Sequence, residues 1–544
     1  MIRSIRPARV LAAVVLALAS MAASAARPSA DEAGLLPPSV VNKALFAAAP
    51  SSGGAPGLVS VSSELVRRFA VTLTAREALA AMEQGLITSR EYVDILIERI
   101  EAYPDINAVI AIDAEAARAA ADEADAMRAA GESLGPLHGL PILVKDAIFT
   151  EDFPTTAGTP ALADFQSDSN APSLQALIDA GAIVLGKTNL HELQAGYTTN
   201  NGFTGPTRNP YDFDLIPGGS SGGNSAALAA RLAPLTLGED TGGSTRVPAA
   251  LTGTFGFRPT TGRYPIEGVV PLASTFDTLG PMARDVRDLA LADAVMTGEP
   301  NEFEHVAVSE LRIGVPAALL REGLAFPVEW HFQRALRRLE RAGATLVEAD
   351  IPGIGPDSIM AYQAIAFFET PRELTQFLAD NDVGVTIDEL FAMVASPAVA
   401  GAFENLAQNP VPEAAYNDVI DNALPAFRAG YAQYLEANDL DAVVYPTAPV
   451  PALEIGQEPF IELGGEQVSV FDLYASNAHV APLMGAPAVS VPLGQQASQV
   501  PAGGLDIMGA PGSDRRTLAI AHAIAQILPR VRPPLPIRPL PFQI

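Results

Sequence analysis

Short apolar runs that stop abruptly at turn or charged residues leave this chain few architectures. Leu140-Pro-Ile-Leu-Val144 stops at Lys145-Asp146, and Ala182-Ile-Val-Leu185 stops at Gly186-Lys187. Ala442-Val-Val-Tyr445 and Ala488-Val-Ser-Val491 each stop before a proline, Pro446 and Pro492. Such runs fit strands buried on both faces, which need helical layers above and below. Helical patterns lie among them, over Ser173 to Ala180 and Ser513 to Leu528. Strands alternating with helices predict an α/β fold. The 544 residues suffice for one large α/β domain or two or three ordinary ones.

Upstream of the first strand the pattern is helical. Thr74-Ala-Arg-Glu77 and Thr88-Ser-Arg-Glu91 both fit the capping box, in which two side chains satisfy orphan backbone donors reciprocally. After the second box, Val93, Leu96, Ile97 and Ile100 recur at helical spacing. Asp113 to Ala130 reads as a solvent-facing Ala-rich helix ended near Gly131. From about Glu302 to Asp441 the pattern is again mostly helical, with aromatics at Trp330, Phe332, Phe367, Phe368, Phe377 and Phe391.

The ends read differently. Arg3, Arg6 and Arg9 precede the apolar run Val10 to Ala19 and the small-residue site Ala23-Ser24-Ala25, the layout of an export signal over residues 1–25. That run is short for a membrane span, which needs about 20 residues. Residues 26–60 are rich in Ala, Pro, Ser and Gly and read as a flexible leader; residues 529–544 read as an extended Pro-rich tail. The expected location is periplasmic or secreted, with no stable membrane insertion after signal cleavage.

Charge and cysteine content close off several functions. A formal net charge of −28 opposes nucleic acid as a partner, because phosphate binding needs basic patches. With 0 Cys there is no disulfide framework, thiol nucleophile or Cys-based metal site. His191-Glu192 lacks the spaced second histidine of a zinc helix, and no metal or cofactor is expected.

Two glycine-flanked serine clusters carry the chemistry. Pro217-Gly-Gly-Ser-Ser-Gly-Gly-Asn-Ser-Ala226 and Gly238-Glu-Asp-Thr-Gly-Gly-Ser-Thr-Arg246 bracket an Ala/Leu-rich helical segment. A serine hydroxyl is a weak nucleophile and needs an adjacent base. The lysines are Lys43, Lys145 and Lys187; arginine supplies every other basic position. Arginine stays protonated, whereas a buried lysine can lose its proton and act as a base. Lys145 and Lys187 both follow an apolar strand, so position alone does not separate them; the bland role for either is a pair with Asp146 or another acid.

Joined with Lys145, the serine blocks resemble the amidase signature family of serine hydrolases. The resemblance rests on Gly135-Pro-Leu-His-Gly-Leu-Pro141 through Lys145-Asp146, Thr155-Thr-Ala-Gly-Thr159, Gly186-Lys-Thr-Asn-Leu-His-Glu192 and Gly205-Pro-Thr-Arg-Asn-Pro-Tyr211. It continues through Pro217 to Gly223, Asp240-Thr-Gly-Gly-Ser244 with Arg246-Val-Pro248, and Phe276-Asp-Thr-Leu-Gly-Pro281, and more weakly at Tyr445-Pro-Thr447 and Gly485-Ala-Pro487. The resemblance implies a single three-layer α/β/α domain over 61–528 with a mixed central sheet. Its parts would be a core at 70–300, a mostly helical insertion at about 302–440 and a sheet-completing segment at 441–528. It implies Lys145 as base, Ser220, preceded by a cis peptide, as bridging serine, and Ser244 as nucleophile. Backbone amides of Thr241, Gly242, Gly243 and Ser244 would form the oxyanion hole. Ser221 is read as a support of the turn, Asp240 and Arg246 as a charge pair, and His138, His191 and His479 as core or supporting residues. Asn224 and Gly503-Gly-Leu-Asp506 depart from common family forms.

The implied activity is hydrolysis of a small-molecule carboxamide to a carboxylate plus ammonia or an amine. The segment Trp330 to Phe403 is expected to help line an acyl pocket favouring aryl or apolar groups. The alternatives are a non-catalytic binding member of the same fold and an A-type component of an amidotransferase. A phosphate-binding loop lacks its Gly-Lys-Ser/Thr ending. Self-association into a homodimer is compatible with any of these.

Overall fold

The computed structural model describes residues 69–534 apart from 321–323 and 464. The expected signal, the leader, Lys43 and most of the Pro-rich tail lie outside these residues. Eleven strands form one central sheet. In chain order they are β1 (Val109–Ile112), β2 (Leu140–Lys145), β3 (Ala182–Thr188), β4 (Leu235–Glu239), β5 (Phe255–Arg258) and β6 (Leu279–Ala283). Then come β7 (Arg312–Gly314), β8 (Thr345–Val347), β9 (Ala442–Pro446), β10 (Ala488–Pro492) and β11 (Gly504–Met508). Their spatial order is β1-β3-β2-β4-β6-β5-β10-β11-β9-β7-β8.

The sheet is mixed. β2 runs parallel to β3 and β4, and β7 runs parallel to β8 and β9. The remaining neighbours are antiparallel. Every residue of β2, β4, β6, β9, β10 and β11 is buried. Successive side chains of a strand face opposite ways, so burial at every position means both faces are covered. Helices supply the two outer layers, as the unbroken apolar runs require.

Local signals account for many element ends. Thr74 and Thr88 cap the helices Ala75–Glu83 and Ser89–Ala102 with complete capping boxes closed by Glu77 and Glu91. The helix Ala114–Ala129 buries only Ala117, Ala121 and Ala124, one face at helical spacing, and leaves its charges outside. Between 302 and 440 the described regular elements are helices except for β7 and β8, which extend the sheet at one edge. Three helices position the site: α1 (Gly222–Ala230), α2 (Arg246–Thr252) and α3 (Pro356–Asp380).

The core predicts where the sheet is sensitive. Leu143 in β2 is fully buried, whereas Leu134 is 53% exposed. Leu143→Ala is expected to lower the unfolding free energy by about 2–5 kcal/mol in urea denaturation. Leu134→Ala is expected to stay within about 0.5 kcal/mol.

Candidate active site

The site begins with two parallel neighbours. Ile142 pairs with Leu235 and Val144 with Leu237, so β2 and β4 end side by side at their carboxyl edge. The last residue of each strand carries the charge: Lys145 on β2 and Glu239 on β4. Lys145 Nζ lies 2.9 Å from Glu239 Oε2 and 2.8 Å from Ser220 Oγ. Both charged side chains are buried, at 0% and 1% exposure, so water cannot substitute for either contact. Burial lowers the Lys145 pKa from its ordinary value, and it prevails over Glu239, which raises it.

Two loops bring the serines in. The Gly219–Ser220 peptide is cis. The Ser220 carbonyl accepts the His191 N–H at 3.0 Å, and Thr199 Oγ1 donates to the Gly218 carbonyl at 2.8 Å. A side chain at Gly223 would run into the Asn189 carbonyl, so α1 can start this close only with glycine there. Ser221 ties this loop to the second one. Its N–H donates to the Ser244 carbonyl at 3.1 Å, and its Oγ donates to the Glu239 carbonyl at 3.1 Å. Ser220 and Ser244 therefore sit on adjoining loops. Ser220 is fully buried, while Ser244 keeps 4% exposure and is the outer of the two.

The second loop is framed by Asp240. Its Oδ1 accepts the Gly243 N–H at 2.7 Å, and its Oδ2 accepts the Thr245 N–H at 3.1 Å and Thr245 Oγ1 at 2.9 Å. Arg246 donates to both Asp240 oxygens at 3.2 Å, to Asp506 at 2.7 Å and to the Ala478 carbonyl at 2.9 Å. Arg258 also reaches Asp240, donating to its backbone carbonyl and lying 3.4 Å from Oδ1. Burial pushes the Asp240 carboxyl up, but the two guanidiniums and the Arg246 and Thr245 hydrogen bonds outweigh it and hold it well below the usual carboxylate range. The four amides expected at the oxyanion hole differ in how this frame engages them. The Gly243 N–H is already committed to Asp240, whereas those of Thr241, Gly242 and Ser244 have no backbone or side-chain acceptor among the described residues.

The other candidates fall into supporting places. Lys187 Nζ donates to the Ile148 carbonyl at 2.6 Å, to Thr155 at 3.0 Å and to Thr150 at 3.1 Å, with Asp146 at 3.4 Å. The pair with Asp146 thus belongs to Lys187, and Lys145 alone faces a serine. His138 Nε2 lies 2.9 Å from the Ala124 carbonyl, and His479 bridges Ser358 and the Ala475 carbonyl. His191 accepts the Thr199 N–H at Nδ1 and orders the loop behind Ser220. Asn224 bridges Thr188 and the Leu237 carbonyl, a use of its amide inside α1. Among the described residues no group of three or more His, Cys, Asp or Glu is arranged to hold a metal ion.

Several residues at the site went unmarked by sequence reasoning. Glu239 and Asp277 stood inside quoted motifs, yet nothing in their spacing says that they meet. Thr241 Oγ1 lies 2.5 Å from Glu239 Oε1 and 2.6 Å from Asp277 Oδ1. Tyr197 Oη donates to the Gly242 carbonyl at 2.9 Å, and a side chain at Gly242 would collide with the Tyr362 hydroxyl. Tyr362 stacks on Phe276 at 5.0 Å, Phe471 lies 5.3 Å from Tyr197, and Phe367 lies 6.2 Å from Phe471. This aromatic wall stands beside the Thr241–Ser244 loop. Of the aromatic segment Trp330 to Phe403, only the α3 residues Tyr362 and Phe367 join it. Phe332 is buried in the main core, Phe377 packs on Phe149 and Phe165, Phe391 stacks on Phe403, and Trp330 is 41% exposed.

Known proteins share this arrangement of sequence. The family model described as Amidase matches residues 91–518. A mandelamide hydrolase of Pseudomonas putida is 39% identical over 474 residues, covering 84% of this chain and 92% of its own. An indoleacetamide hydrolase of Agrobacterium vitis is 37% identical over 439 residues, covering 80% and 93%. One component of the glutamyl-tRNA(Gln) amidotransferase of Halorhodospira halophila is 36% identical over 84% of this chain and 97% of its own. Among solved structures, one described as the crystal structure of amidase superposes with a TM-score of 0.74 at 32% identity, over 84% of this chain and all of that one.

The Asp240 frame sets the stability of the second loop. Arg246→Leu leaves Asp240 and Asp506 buried without the guanidinium between them. It is expected to cost about 3–5 kcal/mol in urea denaturation at neutral pH. Because the folded pKa of Asp240 is depressed, its contribution is present above the ordinary carboxylate pKa of about 3.9 and is lost as pH falls through the lower folded value. The difference between wild type and variant should therefore shrink in strong acid.

Proposed function

The chain belongs to the amidase family, and from that premise we propose that it is an exported amidase working through Lys145, Ser220 and Ser244. The family membership makes it an amide-hydrolysing enzyme. The observation that carries the relay is the 2.8 Å contact between Lys145 Nζ and Ser220 Oγ, on a loop bonded through Ser221 to that of Ser244.

A neutral amine has two N–H donors and one lone pair. Lys145 can give one N–H to Glu239 and turn its lone pair to the Ser220 hydroxyl. Ser220 passes its proton to Lys145 and takes that of Ser244, whose oxygen attacks the amide carbonyl. The oxyanion forms among the N–H groups of Thr241, Gly242 and Ser244; each such donor is worth about 10²–10³ in rate. Ser220 then gives its proton to the leaving nitrogen, and Lys145 re-protonates Ser220. Ammonia or an amine departs, and water enters through the same relay to free the carboxylate.

The aromatic wall supports an aryl or apolar acyl group on the substrate. The relatives' names, mandelamide and indoleacetamide hydrolase, point the same way. The amidotransferase relative favours a second reading, one component of a complex that works on charged tRNA. The net charge of −28 and the signal-like residues 1–25 oppose it and support action on a small molecule outside the cytoplasm. No described helix is long and apolar enough to cross a membrane.

Ammonia release by the purified chain, measured across an amide panel, separates these readings. Arylacetamides are expected to be hydrolysed by this chain alone and to exceed acetamide in kcat/KM. Activity confined to short polar amides would defeat the aryl reading, and no activity without partner proteins would favour the amidotransferase. Lys145→Ala is expected to lower kcat by about 10²–10⁴. Because the base is the neutral amine, the wild-type rate should rise with pH through the lowered pKa of Lys145 and then level.

A further inference from the structure

The Thr241 hydroxyl is in contact with two carboxyl groups at once. Its Oγ1 is 2.5 Å from Glu239 Oε1 and 2.6 Å from Asp277 Oδ1. A hydroxyl has one proton and can donate to only one of them. Two ionised carboxylates would leave the other contact as a carboxylate oxygen against the lone pairs of the hydroxyl oxygen, in a site closed off from bulk solvent. Thr241 is 1% exposed, Glu239 0% and Asp277 6%. A second proton between these oxygens resolves the conflict, and resting on the amidase reading it acquires a purpose. We propose that Glu239 and Asp277 hold one proton between them through Thr241, so that the pair presents a single negative charge to Lys145.

The hydrogen bonds say where the proton rests. Glu239 Oε2 faces Lys145 Nζ at 2.9 Å, which favours the anion on Glu239. Asp277 Oδ2 accepts the Leu272 N–H at 2.9 Å, and the Ala273 N–H is shared between Oδ2 and Oδ1 at 3.0 Å each, so Oδ2 is the more heavily engaged acceptor and Oδ1, which faces Thr241, carries the proton. Every proton then points one way: Asp277 donates to Thr241, Thr241 to Glu239, and Lys145 to Glu239. Burial, with Glu239 nearby, pushes the Asp277 carboxyl up to about 7, in keeping with this order.

The surroundings leave this charge count in place. Asp240 also acts on Lys145, but Arg246 and Arg258 flank it and balance its charge. His191 is buried with its pKa lowered, so it stays uncharged near neutrality. Tyr197 and Tyr362, beside Gly242, have their phenol pKa values raised by burial and stay neutral. Of the acids acting on Lys145, Glu239 is the strongest, and among the described residues Glu239 and Asp277 are the ones that no guanidinium pairs. With both ionised, the ammonium form would be held too firmly to serve as a base. One charge orients the amine and lets it release its proton. Glu239 and Asp277 are positioning residues in this account, since neither touches the substrate.

The three lysines of the sequence make the test direct. Protein labelled with ¹³C at lysine Cε gives a few resonances, and Lys145→Arg assigns the one that matters. Glu239→Gln removes the charge facing Lys145 and is expected to lower its titration midpoint by about 1–3 pH units. Asp277→Asn replaces a group that is already neutral and is expected to leave the midpoint where it is. Equal downward shifts in both variants would mean that both carboxyls are ionised, and would overturn the proposal. An unmoved midpoint in Glu239→Gln would overturn it as well. Should Asp277→Asn not fold, Asp277→Ser removes the same carboxyl while keeping a hydroxyl toward Thr241 and carries the same expectation. The acid limb of kcat/KM should follow the NMR midpoint in each variant, which a purely structural role would not produce. The titration needs no substrate, so this pattern in a chain that hydrolyses no amide would count against the amidase reading and not against the shared proton.

Discussion

An amine held out of water between a carboxylate and a hydroxyl is the constraint around which this molecule is arranged. Burial drives Lys145 toward its neutral form, and Glu239 pulls it back toward the ion. Neither tendency can be relaxed by solvent, because both side chains are closed off. The balance depends on the pairing of β2 with β4: a slip of one residue would turn one of the two charges to the opposite face of the sheet. The doubly covered sheet matters for function because it fixes this register, and the helices on either side of it exclude water.

The two serine loops are held by different devices. The first is packed against residues 189–199, through glycines that permit close approach and through His191 and Thr199. The second is an ion-paired turn built on Asp240, which accepts amide and hydroxyl protons from the residues just beyond it. Ser221 joins the two with one backbone and one side-chain hydrogen bond. Ser221, the neighbour of Ser220, thus ties the loops of the two proposed relay serines together.

The sequence made these strands legible because burial leaves a compositional trace: the four apolar runs read from it as strands are strands here. The capping boxes were legible because they are local. Glycine spacing marked the two serine clusters and the rarity of lysine narrowed the base to Lys145 or Lys187, but it took the family resemblance to single out Lys145, Ser220 and Ser244. What stayed hidden was long-range. Two lysines follow two similar strands, and only the pairing of loops decides that Lys187 serves Asp146 while Lys145 faces Ser220. Glu239 ends its strand as one acid among many, and its meeting with Lys145 depends on strand order. Tyr362 reaches Gly242 from α3, far along the chain, and no periodicity records that. The Gly243 amide resembles its neighbours in sequence, yet Asp240 takes it first.

The bond from Arg246 to Asp506 has a bearing on how the molecule comes into being. Asp506 lies on β11, near the end of the folded chain, while Ser244 lies before its middle. A ribosome that has made only the first half of this protein holds a Thr241–Ser244 loop whose guanidinium still lacks one of its two counter-ions. It follows that the frame of this loop is completed late in synthesis, when the last strand pair arrives, and that a prematurely terminated product would lack it.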